Sequence, residues 1–146
     1  MDNRVWKVIK RHLKYSDDEL EKFQARSENR DIMEKAEILN NMDIVARVVS
    51  SHGCNSGHRE GQEIILDGAG NLRAGNVLDK TCIFLLGNLP SFVYGIHELV
   101  YAGIPPKKIK LRINRAGCAD VGVENCGWGR VILELSVRER KVSSVA

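Results

Sequence analysis

The residues able to do chemistry gather in two glycine-rich stretches. The first, SSHGCNSGHREGQE (Ser50–Glu63), sets His52, Cys54 and His58 among small polar residues directly after an apolar run. The second, RAGCADVGVENCGWG (Arg115–Gly129), carries Cys118 and Cys126 with Asp120, Glu124 and Trp128. Thiolate and imidazole are ligands that suit zinc or iron, with tetrahedral sites built from sulfur and nitrogen. Three residues separate Cys54 from His58, an acceptable half-site; the seven between Cys118 and Cys126 do not make the tight Cys-x2-Cys knuckle of a standard zinc module. A loop as long as the second is either functional or disordered, and its valines, cysteines and tryptophan fit disorder poorly.

Each candidate has a plainer alternative. His58 suits metal or acid–base work near neutral pH, or it hydrogen-bonds loop backbone; His52 is the weaker of the two. Asp120 and Glu124 are oxygen ligands, general bases or orienting partners for an imidazole, or they cap their own loop. Cys82 opens an apolar helical region, where free amides and the helix dipole favour a thiolate, although CIFLL also suits a buried core cysteine. Trp128, between two glycines, packs on the sheet or walls a pocket. His97 reads as a core or interface residue and His12 as solvated. The metal candidates are therefore Cys54, His58, Cys82, Cys118 and Cys126, and the acid–base candidates His58, Asp120 and Glu124. The chain carries no Walker A loop, no G-x-G-x-x-G after a strand and no G-x-S-x-G elbow.

The elements that position these residues follow from periodicity. Asn3–Lys14 places Val5, Trp6, Ile9 and Leu13 on one helical face. Ser16 with Glu19 three residues later forms a capping box, predicting a helix from about Asp17. Asp31–Asn40 repeats its apolar residues at helical spacing. From Asp43 the pattern turns short and β-branched. DIVARVVS and Glu63–Leu66 read as strands, with DGAGN as the turn after the second. Residues Asp79–Ala102 read as two helices, Asp79–Asn88 and Ser91–Ala102, broken at Pro90. KIKLRIN alternates Ile109, Leu111 and Ile113 against charges as a strand, and Arg130–Val137 is the last strand. The expected fold is α+β: a small, mainly antiparallel four-stranded sheet packed by a Pro-broken helical hairpin, with an N-terminal helical appendage. Residues 1–41 form the appendage, 42–140 the Cys/His domain and 141–146 a frayed tail.

Whether the two loops meet depends on direction. If the first strand runs up, Cys54 lies at its top. A single straight helix at 79–102 would then send the next strand down and strand Cys118 at the far end. A hairpin at Pro90, or a long connection, lets that strand run up and brings both loops to one end of the sheet.

Composition narrows the class. The net charge of +3 is dispersed among acids, which argues against a phosphate-binding surface, and aromatic residues are not interleaved with basic ones as nucleic-acid binding requires. No uninterrupted apolar run has the length of a membrane span and the first residues lack a signal-peptide core, so a cytoplasmic protein with reduced thiols is expected. The narrow apolar faces of the N-terminal helices predict burial on a protein partner or a second copy.

Cys54-Asn-Ser-Gly-His58-Arg-Glu-Gly61-Gln-Glu63, with Cys82 and Cys118-Ala-Asp120 further on, resembles a family of small bacterial and archaeal proteins of unassigned function. Their signature is Cys-x-x-Gly-His-x-x-Gly, then a mid-chain Cys opening a helical region, then a late Cys beside an acid. The resemblance spans Ile44 to about Val137. It departs at Cys126, an added cysteine, and at Ile83, where the family has proline. It implies that Cys82 belongs with the site and implies no reaction. The expected function is a zinc- or iron-binding accessory or small subunit of a larger cytosolic enzyme, with anaerobic metabolism as its setting. The alternatives are a small enzyme using a Cys thiolate/His pair or metal-bound water, and a structural interaction protein with core cysteines.

Overall fold

The computed structural model describes residues 3–73 and 80–140. Met1–Glu37 and Ile38–Ala146 are separate units. In the first, α1 (Asn3–Leu13) and α2 (Asp17–Ala25) are joined by a turn whose Ser16 closes the expected capping box. The Ser16 hydroxyl accepts from the Glu19 amide at 3.2 Å, and the Glu19 carboxylate accepts from the Ser16 amide at 2.8 Å. Phe23 is gripped by two rings, Trp6 edge-on at 6.3 Å between centroids and Tyr15 at 5.9 Å. Such pairs contribute roughly 0.5–1.5 kcal/mol each beyond area burial.

Helix α3 (Ser27–Asn40) begins earlier than the Asp31 expected from its apolar spacing. Its last residues, Ile38 and Leu39, join the core of the second unit, so the division falls at Glu37 and not at residue 41.

The second unit is built on a fully antiparallel sheet of order β2-β1-β4-β3. Its strands are β1 (Met42–His52), β2 (Glu63–Asp67), β3 (Arg115–Gly117) and β4 (Arg130–Glu139). Alternation sends Met42, Ile44, Ala46 and Val48 of β1 to one face, with Leu66, Val131, Leu133 and Leu135 beside them. Helices α4 (Ile83–Leu86) and α5 (Leu89–Tyr101) cover that face through Leu85, Leu89, Ile96 and Val100. The fold is α+β.

The helical region breaks ahead of Pro90 as the proline requires, but α4 is a single turn. Asp79, its expected start, lies outside the described residues, as does the tail from residue 141. Because Cys82 already stands at the end of the sheet where β1 finishes, the return from Asp67 is complete before α4 begins. From there α5 leads away. Ile83–Tyr101 has the length and apolarity of a membrane-spanning helix, yet its Leu85, Leu89, Ile96 and Val100 fill this core.

The strand expected over KIKLRIN does not form. Pro105 and Pro106 set a 3₁₀ turn at Pro106–Lys108, and the following residues pack Ile109 and Leu111 on the core without a ladder. Pairing starts only where the Asn114 carbonyl accepts from Leu135, and β3 is the short Arg115–Gly117. The alternation records half-burial, which a loop lying on a core also produces.

On the sheet's opposite face Asp43, with a side chain only 5% exposed, meets Arg73, Arg138 and Arg140 at 3.1, 3.8 and 3.0 Å. Beside it Glu63 pairs with Arg47 at 2.8 Å and Arg138 at 3.3 Å. Removing the Asp43 charge leaves three guanidinium groups facing a neutral amide. Because the arginines can still reach water, Asp43→Asn is expected to cost about 2 kcal/mol in urea denaturation, less than the full cost of a broken buried pair. The hydrogen bond from Arg47, aided by the charge of Arg138 and opposed by partial burial, holds the Glu63 carboxyl below its ordinary range. A depressed carboxyl stabilises the fold above its unfolded pKa, and that contribution disappears as pH falls through the folded value. The wild type should therefore lose more stability on acidification than Glu63→Gln, measured by urea midpoints across the acidic range.

Candidate functional site

Strand β1 ends at His52 and β4 begins at Arg130, its register partner. Just beyond this last pair the backbones of Gly53 and Gly129 pass each other. A Cβ on Gly129 would sit 2.2 Å from the His52 carbonyl oxygen and 2.4 Å from the Gly53 carbonyl carbon. A Cβ on Gly53 would sit 2.6 Å from the Trp128 oxygen, and Gly53 also has φ +64°. Only glycine permits this crossing. It pins the turn carrying Cys54 against the loop that follows Cys118.

Cys118 leaves the end of β3, and its Sγ accepts from the Val131 amide at 3.3 Å. Strand β3 runs antiparallel to β4, as β1 does, so Cys54 and Cys118 lie at the same end of the sheet. Cys82 precedes α4 and arrives there from the helical layer. His58 ties the two layers together. It is 4% exposed; its Nε2 accepts from the Cys82 amide at 3.2 Å, and its carbonyl accepts from the Ser51 hydroxyl at 2.6 Å. Because an amide only donates, Nε2 is the acceptor, and the neutral ring carries its proton on Nδ1.

Cys54, His58, Cys82 and Cys118 thus line one cavity of about 300 Å³, together with Asp120, Trp128 and Arg130. Partial burial pushes the Cys82 thiol up, but hydrogen bonds from Ser56, Leu85 and Phe84 outweigh it and leave the thiol below its ordinary value. Among the described residues, no three or more His, Cys, Asp or Glu side chains already surround a common metal position.

Three expectations need revision. Cys126 is exposed, in a left-handed conformation at the end of a 3₁₀ turn, and does not line the cavity. Glu124 is exposed on that same turn and is also outside it. Asp120 does line the cavity, but its carboxylate is committed to its own loop. It accepts from the amides of Gly122 and Trp128 at 3.0 Å and Gly129 at 3.3 Å. These bonds, that of Gly122 foremost, hold the carboxyl below its ordinary range. Asp120 is a staple that shapes the loop and not a free base.

Trp128, between its glycines, walls the cavity mouth at 72% exposure. His52 is exposed at the sheet end. His97 donates from Nε2 to the Gly68 carbonyl at 2.7 Å and lines a separate apolar cavity of about 420 Å³ with Leu66, Leu89 and Tyr94. Sequence reasoning missed Ser56 and Arg130 as cavity residues. Ser56 lay within the Cys54–His58 signature, and Arg130 is the first residue of a strand; neither type or spacing marks a site by itself.

Comparison with family models, curated proteins and solved structures finds no match to this chain.

The glycine crossing generates a direct check. Gly129→Ala should cost about 3 kcal/mol in thermal or urea unfolding, since the intruding Cβ meets backbone that cannot turn aside. Gly95→Ala, in open space on α5, should instead be neutral or stabilise by up to about 1 kcal/mol.

Proposed function

We propose that the protein binds zinc or iron in this cavity, through the thiolates of Cys54, Cys82 and Cys118 with His58 as the nitrogen donor, and serves as an accessory or small subunit of a larger cytoplasmic enzyme. The observation that carries the reading is that three thiols from three distant segments and one buried imidazole line the same cavity. Donors already directed at two of the sulfurs support it. The Cys118 sulfur receives the Val131 amide. Burial pushes the Cys82 thiol up, but hydrogen bonds from Ser56, Leu85 and Phe84 outweigh it and favour the thiolate that metal ions bind. Closing on an ion would require the thiols to turn toward a shared centre, and His58 to exchange the Cys82 amide for the metal if it binds through Nε2. Cys126 has no part in this set.

Asp120 is spent on its loop, so His58 and the thiols are the cavity's remaining groups for binding or proton transfer among the described residues. Docking would use the N-terminal helices, where Val8 and Leu13 remain exposed, on a partner protein or a second copy.

A second reading, an enzyme with a thiolate nucleophile, draws on Cys82, whose thiol is held below its ordinary value beside His58. Metal analysis of anaerobically purified protein separates the two. The first predicts about one zinc or iron per chain, lost in Cys54→Ser and kept in Cys126→Ser. A metal-free wild type whose Cys82 alone alkylates rapidly would instead favour the second.

A further inference from the structure

Apart from its thiols, the cavity's charged side chains are Asp120 and Arg130. Asp120 turns its carboxylate to three amides of its own loop and forms no ion pair with Arg130. Of the arginines within the strands, Arg47 and Arg138 engage Glu63, and Arg115 engages Glu134. Arg130 alone among them has a side chain with no hydrogen bond, ion pair or ring contact among the described residues. Its register partner across the ladder is His52, so the ladder sets no acid opposite it.

Two aromatic rings flank the same mouth, Phe84 at 65% and Trp128 at 72% exposure. Exposed rings of this size lining a concave site are available to stack on a planar partner. A guanidinium matches a carboxylate or phosphate with two parallel hydrogen bonds.

We propose that the cavity binds a small planar organic anion, its carboxylate or phosphate held by Arg130 and its ring against Phe84 and Trp128. The inference goes beyond the metal reading and does not depend on it, because none of these three residues is a proposed ligand. The anion's body would extend toward Cys54, Cys82 and Cys118, which makes it a candidate substrate or effector for whatever chemistry the thiols perform.

The test uses the full-length chain labelled with nitrogen-15, reading the indole N–H signals of its two tryptophans. Benzoate and phenyl phosphate are the anionic probes, and benzamide is the neutral control. At least one anion should shift the Trp128 signal saturably and leave that of Trp6 in place, while benzamide has little effect. Arg130→Gln, at an exposed position, should weaken binding about tenfold or more, the loss expected for a charge-assisted pair, and Arg130→Lys should retain part of it. No saturable shift with either anion, equal binding of benzamide, or an Arg130→Gln protein that binds like wild type would overturn the proposal. Metal content measured on the same samples keeps the two readings separate: anion binding that persists in metal-free Cys54→Ser protein supports this site even if the metal reading fails.

Discussion

The site depends on how closely two backbones pass beyond the last rung of the β1–β4 ladder. Gly53 and Gly129 approach to a distance that leaves no room for a Cβ on either. This lets the turn after β1 and the loop before β4 share one small volume. A side chain at the crossing would meet backbone on the other side and force the two segments apart. The requirement is for the absence of atoms, which is why it is met by two glycines of opposite strands and by no attractive contact.

Three weaker ties hold the remaining pieces against that crossing. Asp120 gathers the amides of its own loop. His58 links the Cys54 turn to the start of α4 through the Cys82 amide, and the Val131 amide fixes the Cys118 sulfur. The His58 bond is of the neutral kind, which contributes about 0.5–1.5 kcal/mol. The cavity walls come from a sheet end, a helix start and two loops, and Cys54, Cys82 and Cys118 also pack against the aliphatic core beneath.

Much of this was legible in the sequence where one local rule acted alone. Ser16 and Glu19 announced α2, the β-branched run after Asp43 announced β1, and Arg130–Val137 announced β4. The turn chemistry of Ser50–Glu63 marked the loop that holds Cys54 and His58. Whether Cys54 and Cys118 share an end of the sheet was left open by the sequence, hanging on a hairpin at Pro90 or a long connection; the antiparallel pairing of β1 and β3 with β4 puts them there. What was not legible depended on tertiary context. Ile109 and Leu111 alternate as a strand would, but the two prolines before them divert the chain onto the core without a ladder. Cys126, the cysteine added to the resembled signature, is carried to the outside by the loop's path. Asp120 looked like a base because its amide partners lie up to nine residues away and are brought back by the fold.

The central claim is that Cys54, Cys82 and Cys118 face one another. Capture by phenylarsine oxide tests it most directly, since the arsenical bridges only thiols held close together and needs no assumption about metal or activity. Reduced, metal-depleted protein should take up the reagent as a single adduct per chain, mapped by mass spectrometry to two of those three cysteines and sparing Cys126. Failure to form a bridged adduct, or an adduct that includes Cys126, would contradict the account.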